Sequence, residues 1–393
     1  MPVAGVYIHI PFCERKCTYC SFNTTDFFPD LSERYAAAVA REIESYGASL
    51  SNGSGQRLDV DTIFFGGGTP SIVEASQLAT LIDACKNAFA LVPDAEITIE
   101  INPGTFDRQK IEAWREAGIN RASVGVQSFL DRELVSLSRT HTSDQARQTI
   151  DSLREAGFDN ISLDLIAGFP DQALGDWEFS LAQALEIRPE HLSLYLLEVK
   201  EGTQLSLQIK RSLRPAPDDD LAAEMYRAIC AATRTEGYEH YEISNFGLKP
   251  ERRAESNAIS PYRSRHNVKY WTGAPFYGMG CGAHSYDRSS RWMNVLKTED
   301  YIARINSTGR AVAERRLLSP QERSEESLFM MLRLTEGVNL ESFRADYGLD
   351  IVSRYGDELS RLADAGLIEN AEGRLHLTEA GMLLSNEVFV SFV

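Results

Sequence analysis

From residue 3 to about residue 200, short apolar runs alternate with longer amphipathic ones. The runs 3–10, 60–65, 96–101, 121–126, 161–167 and 191–197 are brief, rich in β-branched residues and almost continuously apolar. This pattern predicts strands covered on both faces. Segments 31–50, 74–90, 107–117, 143–156 and 174–187 carry helical periodicity between them. Two of these end in Ala-Gly, at 117–118 and 156–157, where glycine takes the left-handed conformation that stops a helix. Strands alternating with helices predict right-handed βαβ crossovers and a parallel sheet, hence an α/β fold. Each turn after a strand then falls on one mouth, where such sheets build their sites.

After about residue 200 the rhythm changes. Arg214-Pro-Ala-Pro-Asp-Asp-Asp220 reads as a linker or helix entry, followed by a helix over 221–236 in which Cys230 is a small buried hydrophobe. Residues 238–246 are aromatic and strand-like, and 245–265, with Pro250 and Pro261, predict a mobile loop. The tail from 319 holds helices over 320–334, 340–347 and 351–365, a strand-turn-strand around Asn370 and Gly373, and a last helix. This order resembles a winged helix-turn-helix. Its acidic residues, among them Glu341, Asp346, Asp350, Asp357, Glu358, Asp364, Glu369 and Glu372, oppose phosphate contact and favour a lid or docking module. The predicted organisation is 1–205 as the α/β unit, 206–318 as its extension, and 319–393 as the winged-helix-like unit.

A formal net charge of −17 disfavours nucleic acid as a partner. There is no apolar run long enough to span a membrane and no secretory leader pattern at the start, so a cytoplasmic location is expected. The six cysteines, three of them clustered, do not make a disulfide framework and suit a reducing compartment where thiols hold metal.

The cluster is Cys13-Glu-Arg-Lys-Cys17-Thr-Tyr-Cys20, just past the first apolar run. Three thiolates on a [4Fe–4S] cube leave one iron open for chemistry or substrate. The competing readings are a zinc site completed by His9 or a distant residue, and three unrelated thiols. After the second predicted strand comes Gly66-Gly67-Gly68-Thr69-Pro70, which is neither a phosphate-binding loop nor a dinucleotide fingerprint; it is either a tight turn or a run exposing backbone amides to a ligand. Glu100, Gln127 and Asp164 each lie at or near the end of an apolar strand. Singly they could satisfy backbone or cap a helix; three on one rim point to ligand contact.

The cysteine spacing resembles the signature of the radical SAM superfamily, whose open iron binds the amino and carboxylate groups of S-adenosyl-L-methionine. Its flank Tyr7-Ile-His9-Ile-Pro11-Phe12-Cys13 resembles the branch that contains the oxygen-independent coproporphyrinogen III oxidases and the HemW-type haem chaperones. The oxidases carry a further Cys two residues after the third ligand; Phe22 stands there in this chain, which sides with the chaperones. The resemblance implies a partial (β/α)6 barrel, with Cys13, Cys17 and Cys20 on the cluster. It further implies Tyr7, Gly67, Gly68, Thr69, Glu100, Gln127, Arg139 and Asp164 around the cofactor. His266-Asn-Val-Lys-Tyr270-Trp271 resembles the haem-associated string of the chaperones. An imidazole there suits haem iron and the aromatic pair suits the macrocycle, and a buried structural histidine is the other reading. Cys281 and His284 form a second candidate ligand pair. The resemblance implies haem as a third cofactor and a haem acceptor protein as partner, with transient contact to membrane proteins compatible, and leaves the electron donor unnamed. Oxidase activity on coproporphyrinogen III is the rival reading, so whether the chain is an enzyme stays open. An uncharacterised radical SAM enzyme is the third.

Overall fold

The computed structural model describes residues 3–50, 56–250 and 259–392. Six strands, β1 (Ala4–Ile10), β2 (Asp59–Gly67), β3 (Ala90–Ile101), β4 (Arg121–Gln127), β5 (Ile161–Ala167) and β6 (His191–Leu196), lie side by side in chain order, each neighbour parallel. They are linked by α1 (Pro29–Leu50), α2 (Ala75–Ala88), α3 (Arg108–Ala117), α4 (Ser143–Glu155) and α5 (Leu174–Ile187). The strands were legible because both faces are covered: Val6, Ile63, Ile99, Val124, Leu163 and Leu192 are all fully buried in one continuous core. Helix ends follow local chemistry. Thr142 and Gln145 make a reciprocal capping box at the start of α4, and Gly118 (φ 106°) ends α3 in the left-handed conformation.

The sheet does not close. Beyond β1 it continues through β9 (Phe276–Met279), β10 (His284–Tyr286), β11 (Ser290–Asn294) and β12 (Val312–Leu317). Beyond β6 it continues through β8 (Asn245–Leu248) and β7 (Tyr238–Glu242). The parallel arc is thus a partial barrel, and residues after 206 extend both of its sides. The stretch 238–246, expected as one strand, is a hairpin that turns between Glu242 and Asn245. Asn245–Leu248 is therefore strand rather than loop, while the middle of the expected loop, 251–258, lies outside the described residues.

In the tail, helices Pro320–Met331, Leu340–Tyr347, Ile351–Arg354 and Gly356–Asp364 precede the hairpin Ile368–Ala371 and Arg374–Leu377. The hairpin turn uses positive φ at Glu372 and Gly373. The helix expected over 351–365 is broken at Tyr355, whose ring packs edge-on against Phe392. Two short helices, Glu379–Leu383 and Ser385–Phe389, replace the single last helix.

Candidate cofactor site

The cysteine loop leaves β1 and is clasped at its base by a two-residue parallel pairing of Phe12–Cys13 with Thr25–Asp26. Its exit is fixed by Asn23. His9 Nε2 donates to Asn23 O at 2.8 Å, Tyr7 OH donates to His9 Nδ1 at 3.2 Å, and Asn23 Nδ2 donates to Leu296 O at 2.8 Å. Both imidazole nitrogens of His9 are engaged, so His9 does not complete a zinc site. Among the described residues, no three His, Cys, Asp or Glu side chains converge on a point where one ion would sit. A cubane cluster asks less, because each thiolate binds a different iron.

Cys13, Cys17 and Cys20 are free thiols and line one cavity of about 390 Å³. Gly67, Gly68 and Thr69 form an adjoining wall, and Glu100, Gln127, Asp164 and Arg139 reach it from the ends of β3 and β4, the middle of β5 and the loop after β4. The glycine run works by close approach rather than by offering amides. Gly67 N donates to Glu100 Oε2 at 3.0 Å, Gly68 N to Ile10 O at 2.7 Å and Thr69 N to Phe12 O at 2.8 Å. A Cβ on Gly68 would stand 2.6 Å from Phe12 O, so only glycine lets this wall lie against the cysteine loop.

Arg139, which the resemblance places around the cofactor, is tied inward. Its guanidinium donates to Asn102 Oδ1 at 2.7 Å and Gly125 O at 2.8 Å, and lies 3.6 Å from Cys17 Sγ. Among the described residues, its buried Nε has no hydrogen-bond partner. Gln127 adopts φ 67°, a strained backbone for a residue with a side chain, at the rim where strain often accompanies ligand contact. Burial, and then Asp164, pushes the Glu100 carboxyl up to about 7; burial likewise pushes Asp164 up to about 6. Burial also pushes the Cys13 thiol up to about 11. Two carboxyls poised near neutrality, a guanidinium over a thiol and three cysteines on one wall suit a thiolate-bound cluster beside a polar, positively charged small molecule.

Three of the expected site groups lie away from the cavity lining or have their polar atoms engaged. Tyr7 is not among the cavity's lining residues; its ring lies behind Gly66 and packs beside both Phe64 and His266. His266 is 1% exposed, with Nδ1 2.8 Å from Thr62 Oγ1 and Nε2 2.9 Å from Tyr270 OH, so neither nitrogen is free for iron in this conformation. Burial and Lys269 push its pKa down to about 3, which keeps the ring neutral. Cys281 is buried while His284 on β10 is exposed, so they do not form a ligand pair. Asn102 and Ser123 at the rim were not anticipated. Asn102 follows Glu100 in Asn-Pro-Gly after a strand, which is the same signal that singled out Glu100.

Residues 7–183 match the family described as the radical SAM superfamily, and residues 318–384 match the HemN C-terminal domain. A Bacillus subtilis protein named heme chaperone HemW is 36% identical over 390 residues, covering 99% of each chain. This chain belongs to the HemW-type radical SAM proteins. A HemW-type relative from Lactococcus lactis is 32% identical over 99% of this chain and 97% of its own. The Bos taurus mitochondrial radical S-adenosyl methionine domain-containing protein 1 is 32% identical over 99% of this chain and 87% of its own. The structure of Escherichia coli coproporphyrinogen III oxidase (HemN) superposes with a TM-score of 0.83 over 100% of this chain and 90% of its own, at 22% identity. HemW-type chains therefore share the oxidase's fold.

Proposed function

We propose that this chain holds a [4Fe–4S] cluster on Cys13, Cys17 and Cys20, binds S-adenosylmethionine at Glu100, Gln127, Arg139 and Asp164, and carries haem for transfer to an acceptor protein in the cytoplasm. The observation that carries the reading is the sharing of one cavity by the three thiols and the polar residues Glu100, Gln127, Arg139 and Asp164. When bound, the cluster supplies an open iron to which the amino and carboxylate groups of the cofactor can attach. Arg139 braces Cys17 and the loop, Glu100 and Asp164 offer negative charge to a cationic ligand, and the glycine wall admits it closely. Phe22, 63% exposed at the cavity mouth, stands where the oxidases place a further thiol.

Haem association rests on the names of the relatives and on the helix Arg265–Trp271. Tyr270 and Trp271 line a second cavity of about 150 Å³ with Phe276, Tyr286 and Met330, an apolar aromatic surface suited to the edge of a macrocycle. His266 supports that surface through Tyr270. The shared fold with the oxidase keeps decarboxylation of coproporphyrinogen III as the second reading. Anaerobically reconstituted protein is offered haem and coproporphyrinogen III in parallel. Haem retention and its transfer to apo acceptor, without tetrapyrrole decarboxylation, supports the chaperone; decarboxylation with no haem retention replaces it by the oxidase.

A further inference from the structure

Asp164 begins a hydrogen-bonded chain that runs from the cavity rim through the interior to the helix Arg265–Trp271. Ser162 Oγ lies 3.3 Å from Asp164 Oδ1 and 2.8 Å from His191 Nδ1. His191 Nε2 lies 2.8 Å from Tyr241 OH, which accepts the backbone N–H of Ser264 at 3.2 Å. Ser264 is the N-cap of the helix, its Oγ accepting from Asn267 N at 3.4 Å. Ser162, His191, Tyr241 and Ser264 are each 0% exposed, so water does not replace a lost link.

Proton counting orients the chain. Burial, assisted by the Arg121 guanidinium, holds the His191 pKa well below its usual range, so the ring carries one proton. The Tyr241 oxygen already accepts from Ser264, and among the described residues its own proton finds an acceptor only at His191 Nε2. The ring proton is then on Nδ1 and goes to Ser162, whose proton goes to Asp164. The reverse order strands the tyrosine proton and takes a donor from the carboxylate. Around the chain, Glu100 lies beside Asp164, Glu242 beside Tyr241, and Arg263 stacks 5.5 Å over the Tyr241 ring.

We propose that His191 is a positioning residue that couples occupancy of the cavity at Asp164 to the ordering of the helix Arg265–Trp271. This rests on the reading of Asp164 as a cofactor contact. Asp164 also accepts from Ser123 at 3.0 and 3.1 Å, and Ser162 Oγ also lies 3.4 Å from Ser193 Oγ; a ligand group bonding Asp164 competes with both donors for its lone pairs, and the weakened Ser162 bond passes through His191 and Tyr241 to the helix cap. The site that takes the cofactor and the helix that carries Tyr270 and Trp271 thus answer to one another.

The test is anaerobic amide hydrogen exchange on the full cluster-loaded chain with and without S-adenosylmethionine. Binding is expected to speed exchange in 265–271 about fivefold or more, with the tail helix Leu340–Tyr347 unchanged. Tyr241→Phe removes one oxygen outside the cavity and is expected to abolish the response while iron content and cofactor binding persist. His191→Asn, too short to reach both neighbours, is the second variant and is expected to do the same. Cofactor bound to the parent with no change in 265–271 overturns the coupling, as does an undiminished response in either folded variant. If the parent binds no S-adenosylmethionine, the functional reading fails and takes this inference with it.

Discussion

Glu100 Oε2 accepts the Gly67 backbone N–H, so one carboxylate both braces the glycine wall and lines the cavity. Glu100→Gln keeps the shape and an acceptor for Gly67 but loses the charge. A hydrogen bond involving a charged group contributes about 1.5–3 kcal/mol, so the S-adenosylmethionine dissociation constant is expected to rise roughly 10- to 150-fold. Iron content should be unchanged. Equilibrium binding to reconstituted protein decides it, and an unaltered affinity removes Glu100 from the contact set.

The raised Glu100 carboxyl also fixes a pH dependence. Its folded-state pKa of about 7 exceeds the ordinary 4.5, so the ligand-free folded chain holds this proton more tightly than the unfolded chain. That stability is present below the ordinary value and is lost as pH rises through about 7. The parent should therefore lose stability relative to Glu100→Gln between about pH 5 and 7, read by thermal unfolding at matched pH. A cationic ligand favours the ionised form, so cofactor affinity should run the other way and rise across the same interval. A flat affinity profile contradicts the carboxylate's role.

Cys13→Ala, Cys17→Ala and Cys20→Ala are each expected to lose cluster iron and its visible absorbance. Cys85 and Cys230 are buried in the core away from the cavity. Their alanine variants should keep the iron and cost about 1 kcal/mol of stability. Iron analysis with one zinc per chain in the parent instead would replace the cluster by a zinc site.

His266→Ala removes the partner of both Thr62 and Tyr270 inside the core. The expected result is a loss of roughly 2–4 kcal/mol in unfolding free energy, with the Soret maximum of the folded haem-loaded protein unmoved. A shifted Soret maximum in a variant of full stability would restore His266 as an iron ligand.

What the sequence showed and what it hid have separate physical causes. β5 and α5 were found residue for residue, because apolar continuity and helical period are local properties. That the cysteines, Glu100, Gln127 and Asp164 share one cavity follows from the parallel order of the strands, which brings the loop after β1 and the polar residues of β3, β4 and β5 to one mouth. The placement of β9 beside β1 was not, since Phe276–Met279 is short and its pairing with Gly5–Ile8 depends on long-range register. Nor was the role of His191: its meaning lies in Ser162 and Tyr241 on two other strands. His266 kept two readings in the sequence because a histidine beside aromatics reads the same whether it faces a ligand or a buried threonine.

The flank of β1 sets the order in which the molecule can be finished during synthesis. β1 emerges first, yet one of its two neighbours, β9, is made only after residue 276, and Asn23 at the loop exit waits for Leu296. Until then β1 has an unpaired edge, and the exit of the cysteine loop lacks its outer tether. An exposed edge in a nascent chain invites pairing with the wrong strand. The wall on which the three thiols stand is thus completed only after residue 296 has been made, and a chain stopped short of β9 leaves β1 with an open edge and the loop exit untethered.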